Sequence, residues 1–374
     1  MAIDTTNIQA AIAAKIAAED SAVTALELLQ YGVGLSEYGA AQYYTSVESL
    51  PTADNDLKGM IALVYTGDPF TGNGLYLCTG TEWFEMQDLD SAAPYSFQGS
   101  NFGYTSGGVS SNVIDKFTFS SDANATDVGD LSVARFGSAG QSSSTHGYTS
   151  GGAVPAVSNV IDKFPFSSDT NASDVGDLTV ARYTPAGQSS STHGYSSGGN
   201  PDPAAGNVID KFPFATDANA TDVGDLPSLK WKRTGQSSSE NGYTSGGNGP
   251  SNVIEKFPFS SDANATDVGD LTVARDTAAG QSSADNGYTS GGAAPANSNV
   301  IDKFPFASDA NATDVGDLTA VRDRVAGQSS TTHGYASGGN QGNVIDKFSF
   351  SVDGNATDVG DLTVSREWVA GQQN

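Results

Sequence analysis

Hydrophobic and polar positions return along most of this chain with a long period, not a helical one. From residue 96 onward one order repeats six times. Each copy has Gly-Tyr-x-Ser-Gly-Gly, then Asn-Val-Ile-Asp-Lys-Phe in five of the six, usually followed by Pro-Phe. A polar turn such as Ser260–Asn264 comes next. Ala-Thr-Asp-Val-Gly-Asp-Leu, an arginine and Ala-Gly-Gln-Ser-Ser complete the copy. The anchoring tyrosines are Tyr104, Tyr148, Tyr195, Tyr243, Tyr288 and Tyr335, spaced 44, 47, 48, 45 and 47 residues apart. Self-similarity at such a period marks units that stack into one shared core. Short runs bounded by turn residues predict four strands per unit. Strand a is Gly-Gln-Ser-Ser-Ser, strand b Gly-Tyr-Thr-Ser, strand c Asn-Val-Ile-Asp-Lys-Phe and strand d Ala-Thr-Asp-Val-Gly-Asp-Leu. The Gly-Gly pair after strand b predicts positive φ, and Gly129 and Gly176 within strand d predict a bulge. Pro165, Pro213, Pro258 and Pro305 close strand c, where a missing N–H does least harm. The apolar side chains of one unit are too few for a core. Each buried one contributes roughly 1.5–3 kcal/mol, so neighbours must supply the other wall. The expectation is a mainly β fold, a six-bladed β-propeller over residues 96–374.

These phrases resemble the kelch family. Gly-Tyr-Thr-Ser-Gly-Gly, Val-Ile-Asp-Lys-Phe-Pro and the repeated arginine match its repeat in order and spacing. The departure is strand d, where kelch repeats carry Trp and this chain has Val-Gly-Asp-Leu. Ile-Asp-Lys-Phe-Pro-Phe with Asn-Ala-Thr-Asp-Val-Gly-Asp-Leu and Gly-Gln-Ser-Ser is also similar to propeller repeats in structural proteins of marine cyanophages. Two segments compete for the inner strand of blade 1. The C-terminal Val369–Asn374 begins a seventh strand a, whereas Ser96–Asn101 is a degenerate one. The better match predicts that residues 369–374 close the ring as a latch.

In a four-stranded blade the a–b and c–d turns share one face and the b–c and d–a loops share the other. Across the six units the first set is nearly uniform and the second varies. The d–a loops offer Phe136, Tyr183, Trp231-Lys232, Asp276, Asp323-Arg324 and Glu367-Trp368. Loops on a rigid scaffold are where binding diversity sits. Phe136, Tyr183, Trp231, Lys232, Arg324 and Trp368 are therefore the candidate ligand or partner site, with the aromatic rings as stacking platforms for sugar or aromatic faces. Relaxed drift on an idle face is the competing explanation.

Other motifs read more plainly. His146, His193 and His333 share one a–b turn position, and Asp262–Asp267 lacks the glycine and distal glutamate of a calcium loop. Both are expected to be turn residues, with no metal. Asn124, Asn219, Asn264, Asn311 and Asn355 stand in Asn-x-Thr sequons, discounted without a secretory signal. The repeated arginines, Arg135, Arg182, Arg233, Arg275, Arg322 and Arg366, are expected to tie blades to one another. No catalytic constellation breaks the repeat, so neither an enzyme nor a cofactor is expected.

Ahead of the repeats, Ile8, Ile12 and Ile16 form a narrow stripe in an Ala-rich helical run, suited to docking or self-association. Residues 1–35 read as a helical anchor or assembly segment and 36–95 as a small β-module. Its Gly-Leu-Tyr-x-Cys-x-Gly-x-x-Trp run resembles a small module of tailed-phage fibre and virion proteins. The net charge is −26, with 13 acidic and 2 basic residues in 1–95, and 30 and 15 in the repeats. That balance opposes nucleic acid and anionic lipid, which need clustered Lys and Arg. There is no basic-then-apolar leader and no 18-residue apolar run, so neither ordinary secretion nor membrane insertion is expected. The resemblance implies a structural virion protein, with residues 1–95 attached to other virion proteins. The propeller would then bind a host-surface glycan or protein, or a virion neighbour. The alternative is an intracellular kelch-like interaction scaffold, non-enzymatic in either case.

Overall fold

The computed structural model describes residues 42–46, 49–53, 61–64, 74–78, 81 and 83–88 of the N-terminal part. It also describes 97–374 apart from 155, 201–205, 294–295 and 341. The chain divides into two units, Met1–Pro94 and Tyr95–Asn374. The helical stripe of Ile8, Ile12 and Ile16 lies outside the described residues. In the first unit, Gln42–Tyr44, Ile61–Val64, Gly74–Cys78 and Trp83–Asp88 lie side by side in that order. Ala62, Val64, Tyr76 and Cys78 are buried, and Trp83 Nε1 donates to Pro51 O at 2.7 Å. Among the described residues no helix is long and apolar enough to cross a membrane.

The second unit is a six-bladed β-propeller of antiparallel four-stranded sheets, each ordered a-b-c-d. Blade 2 is representative: Ala139–Ser142, His146–Ser150, Val160–Pro165 and Ser173–Asp177. This is the arrangement expected of kelch-like repeats. Blade 1 takes its strand a from the other end of the chain. Ala370–Gln373 pairs with Phe102–Ser106, with Gly371 opposite Thr105 and Gln372 opposite Tyr104. The latch at the C-terminus is therefore real, and the rival segment has a different place. Gly99 donates to Ser329 O at 2.8 Å, Gln98 Nε2 to Ser282 O at 2.9 Å, and Gln373 Nε2 to Phe97 O at 2.8 Å. Residues 97–101 thus lie at the a–b-turn end of the inner strands and fasten the latch from outside.

Each repeated residue type has an inter-blade job. Every anchoring tyrosine stacks on the second phenylalanine of the next blade, as Tyr148 on Phe214 with centroids 4.8 Å apart. Tyr335 closes the circuit on Phe119 of blade 1 at the same distance. The glycine before each tyrosine leaves room for the phenylalanine ring across strand b; at Gly147 a Cβ would collide with Phe164. The strand-d glycines have positive φ, 155° at Gly129 and 159° at Gly176, beside a shift in pairing register. The expected bulge is present, and it brings strand d against the next blade's turn.

The arginines are buried ties, as expected. Each follows strand d of one blade and reaches the strand-c acid of the next, as Arg182 Nη2 to Asp210 Oδ2 at 2.8 Å. Arg366 returns to Asp115 of blade 1 at 2.9 Å. Burial pulls the Arg182 and Arg366 pKa values down, and the paired Asp210 and Asp115 oppose it. A second circuit joins Lys116, Lys163, Lys211, Lys256, Lys303 and Lys347 to an aspartate in the next c–d turn. The sequon asparagines complete a third: Asn264 Oδ1 accepts from the Asp225 N–H at 2.9 Å, and Asn124 from Asp361 at 3.1 Å. His146, His193 and His333, expected in the a–b turn, instead open strand b directly after it, each with Nδ1 2.8 Å from the hydroxyl of the preceding threonine.

Candidate functional site

At the centre of the ring the six strands a meet through glycine. A Cβ on Gly140, Gly187, Gly235, Gly280, Gly327 or Gly371 would overlap the carbonyl of the neighbouring blade's equivalent glycine. Only glycine allows that approach, so the axis is closed by backbone and not by side chains. Behind this closure Gln188 Nε2 donates to Tyr243 O at 3.0 Å, and Gln372 repeats the contact to Tyr148 O.

Three residues before each axial glycine stands a position occupied by Gly137, Thr184, Lys232, Thr277, Arg324 and Trp368. All six have positive φ, between 55° and 62°. Their backbones form a closed ring of hydrogen bonds. Thr184 N–H donates to Gly137 O at 2.6 Å, Lys232 to Thr184 at 3.2 Å, and Thr277 to Lys232 at 3.0 Å. Arg324 donates to Thr277 at 2.8 Å, Trp368 to Arg324 at 3.0 Å, and Gly137 to Trp368 at 2.9 Å. A left-handed conformation costs a non-glycine residue roughly 1–2 kcal/mol. Five such residues are held here by the ring. Departures of this kind concentrate at functional sites.

The ring rims an axial funnel of about 110 Å³ on the face of the d–a loops. One residue earlier in each loop stand Phe136, Tyr183, Trp231, Asp276, Asp323 and Glu367. Their backbones pair with the start of the b–c loop of the same blade, as Tyr183 with Asn200 and Asp276 with Ala293. The two variable loop sets therefore share one face. That face is divided. Blades 2, 3 and 4 present aromatic rings, with Phe136 and Tyr183 edge to face at 6.3 Å. Blades 5, 6 and 1 present carboxylates. Burial pushes the Asp323 carboxyl up from the ordinary range, with Arg324 opposing and Glu367 reinforcing.

Lys232, Arg324 and Trp368, three of the candidate residues, converge on the funnel. Trp368 and Lys232 are opposite each other in the hydrogen-bonded ring. Lys232 Nζ reaches across to 5.7 Å from the indole centroid, and the Arg324 guanidinium lies 5.3 Å from it. Cations over an indole are held by the ring quadrupole. Trp368 thus lies against two cations of its own chain. Arg324 Nη1 also donates to Glu367 Oε2 at 2.9 Å, which with the nearby aspartates holds its pKa up despite burial. Phe136, Tyr183 and Trp231 stand half-buried beside the funnel. Sequence reasoning missed Gly137, Thr184 and Thr277. Their constant offset before Ala-Gly-Gln, or Thr-Gly-Gln in blade 4, is the signal that could have found them.

Among the described residues no group of three or more His, Cys, Asp or Glu side chains is placed to hold a metal ion. Neither the protein-family models nor the curated proteins compared with this chain give a match.

Proposed function

We propose that this protein is a non-enzymatic structural component of a tailed-phage particle, a fibre or appendage protein. Residues 1–95 attach it to other virion proteins. The propeller binds a host-surface molecule, glycan or protein, or a neighbouring virion protein. The observation that carries the binding half is the contrast between faces. One is built from near-identical turns, whereas the other gathers the chain's departures from its repeat around the axial funnel. The hydrogen-bonded ring on that face holds five non-glycine residues in left-handed geometry. The particle half rests on the resemblance of the repeat phrases to cyanophage virion proteins and on the fibre-like Gly-Leu-Tyr-x-Cys-x-Gly-x-x-Trp run. The marine-phage assignment fits the acidic composition.

Mass spectrometry and immunogold labelling of purified particles test the assignment. Stoichiometric chain on the particle surface is the expected result. Absence from particles, with the chain recovered from cytosol in a complex with a cellular protein, would overturn it in favour of the kelch-like scaffold reading.

A further inference from the structure

The propeller holds 15 basic residues, and twelve of them are committed to the two closed circuits already described. The remaining three are Lys230, Lys232 and Arg324, and two of these line the axial funnel. In a domain this acidic, that placement is selective.

The donors there are not saturated. Lys232 Nζ has no hydrogen-bond acceptor within reach among the described residues; its nearest carboxylate oxygen, on Asp276, is 3.7 Å away. Thr184 also lines the funnel. It is only 6% exposed, and its hydroxyl has no hydrogen-bond partner. A buried hydroxyl without a partner is costly and uncommon. The Arg324 Nε makes no hydrogen bond, and Asp323 Oδ2 lies 3.4 Å from it. An ammonium beside Asp276, a guanidinium beside Asp323 and Glu367, and a buried threonine thus line one small space together with Trp368.

We infer that the axial funnel is a binding site for a single anionic group, a carboxylate or sulfate ester, carried on a saccharide residue. Lys232 and Arg324 supply charge-assisted hydrogen bonds, Thr184 adds a neutral donor, and Trp368 covers the apolar face of the sugar-borne group. A funnel of about 110 Å³ admits one such group and not a chain of them. The acidic surface beyond the funnel repels extended polyanions, so the site reads one terminal charge. The inference deepens the reading of the variable face as a binding face and does not depend on the particle assignment.

Threonine already occupies this ring position at Thr184 and Thr277, so Lys232→Thr leaves the backbone ring acceptable. Isothermal titration of the full-length protein would compare glucuronic acid, N-acetylneuraminic acid and galactose sulfate with glucose, N-acetylglucosamine and galactose. The expected result is binding of the anionic sugars alone, weakened by salt. Lys232→Thr and Thr184→Val should each lower that affinity, the first by roughly tenfold or more, since a hydrogen bond to a charged group is lost. Carboxylates preferred over sulfate esters, or the reverse, would tell the two sources apart. Equal binding of neutral and anionic sugars, native affinity in Lys232→Thr with its fold intact by circular dichroism, or no binding of any anionic sugar would overturn the inference. Anionic-sugar binding by a protein that is absent from particles would leave the inference standing and remove the particle reading instead.

Discussion

One methylene separates blade 4 from its neighbours at the buried ion pair. Five blades pair arginine with aspartate, but blade 4 pairs Arg233 with Glu255. Its arginine also stands three residues later than the others, two before the axial glycine instead of five; Lys230 fills the usual place. The longer acid compensates for an arginine that approaches from a different point on the loop. Glu255→Asp should therefore destabilise the protein although it restores the common residue. The expected cost is about 1–3 kcal/mol, the scale of a buried polar group losing its partner. Lys230→Arg and Arg233→Ala combined with Glu255→Asp should recover most of it. Urea denaturation of the single and triple variants checks both. The repeated arginines are legible in the sequence as ties, and the slip shows once positions are counted from the axial glycine; the match between the slip and the longer acid does not, because it depends on where the arginine approaches from. The sequon asparagines show the same limit. Their side chains serve the blade before their own, and no single unit carries that relation.

Strands a to d were readable from turn chemistry and alternation, and the latch from a leftover half-unit at the C-terminus. The fastening of that latch was not readable, because residues 97–101 act through single backbone and side-chain hydrogen bonds to distant blades at the end of the axis. The two elements together close the ring. Removing residues 370–374 exposes the hydrogen-bonding edge of Phe102–Ser106 and breaks the circuits of Gln372 and Gly371. The truncated protein should melt well below the full chain and lose two-state behaviour, whereas removal of Asn374 alone, which cuts its bonds to Asn101 and Phe102, should lower the melting point less. Calorimetry of the two truncations measures this, and equal melting would contradict the closure.

As a whole molecule the propeller is held by six equivalent aromatic seams, which gives it a characteristic alkaline limit. Burial pushes Tyr148, Tyr195, Tyr243, Tyr288 and Tyr335 up to about 12, with Ser143, Ser190, Ser238, Ser283 and Ser330 opposing; Tyr104 moves in the same direction. An acid whose folded pKa is raised releases its proton first in the unfolded chain. The stabilisation is complete below the unfolded value near 10 and is lost as pH rises through about 12. Phenolate absorbance followed with circular dichroism should show these tyrosines ionising together with unfolding, between pH 10 and 12. Gradual ionisation with the fold intact would contradict the buried seams.

At that same scale the six-bladed count and the division into a uniform and a variable face follow from the repeat itself. The left-handed ring and the cation–indole cluster emerge only when six loops meet on an axis. The central claim is that binding resides in those departures from the repeat. Its most direct test is binding of the full-length protein to a glycan array and to the separated proteins of the particle. The comparison is with a variant carrying blade 5 residues at four positions: Trp231→Asp, Lys232→Thr, Arg324→Thr and Trp368→Thr. The variant is expected to keep its β-rich fold and lose the native protein's ligand or partner; a folded variant that binds as the native protein does would contradict the assignment of binding to these loops.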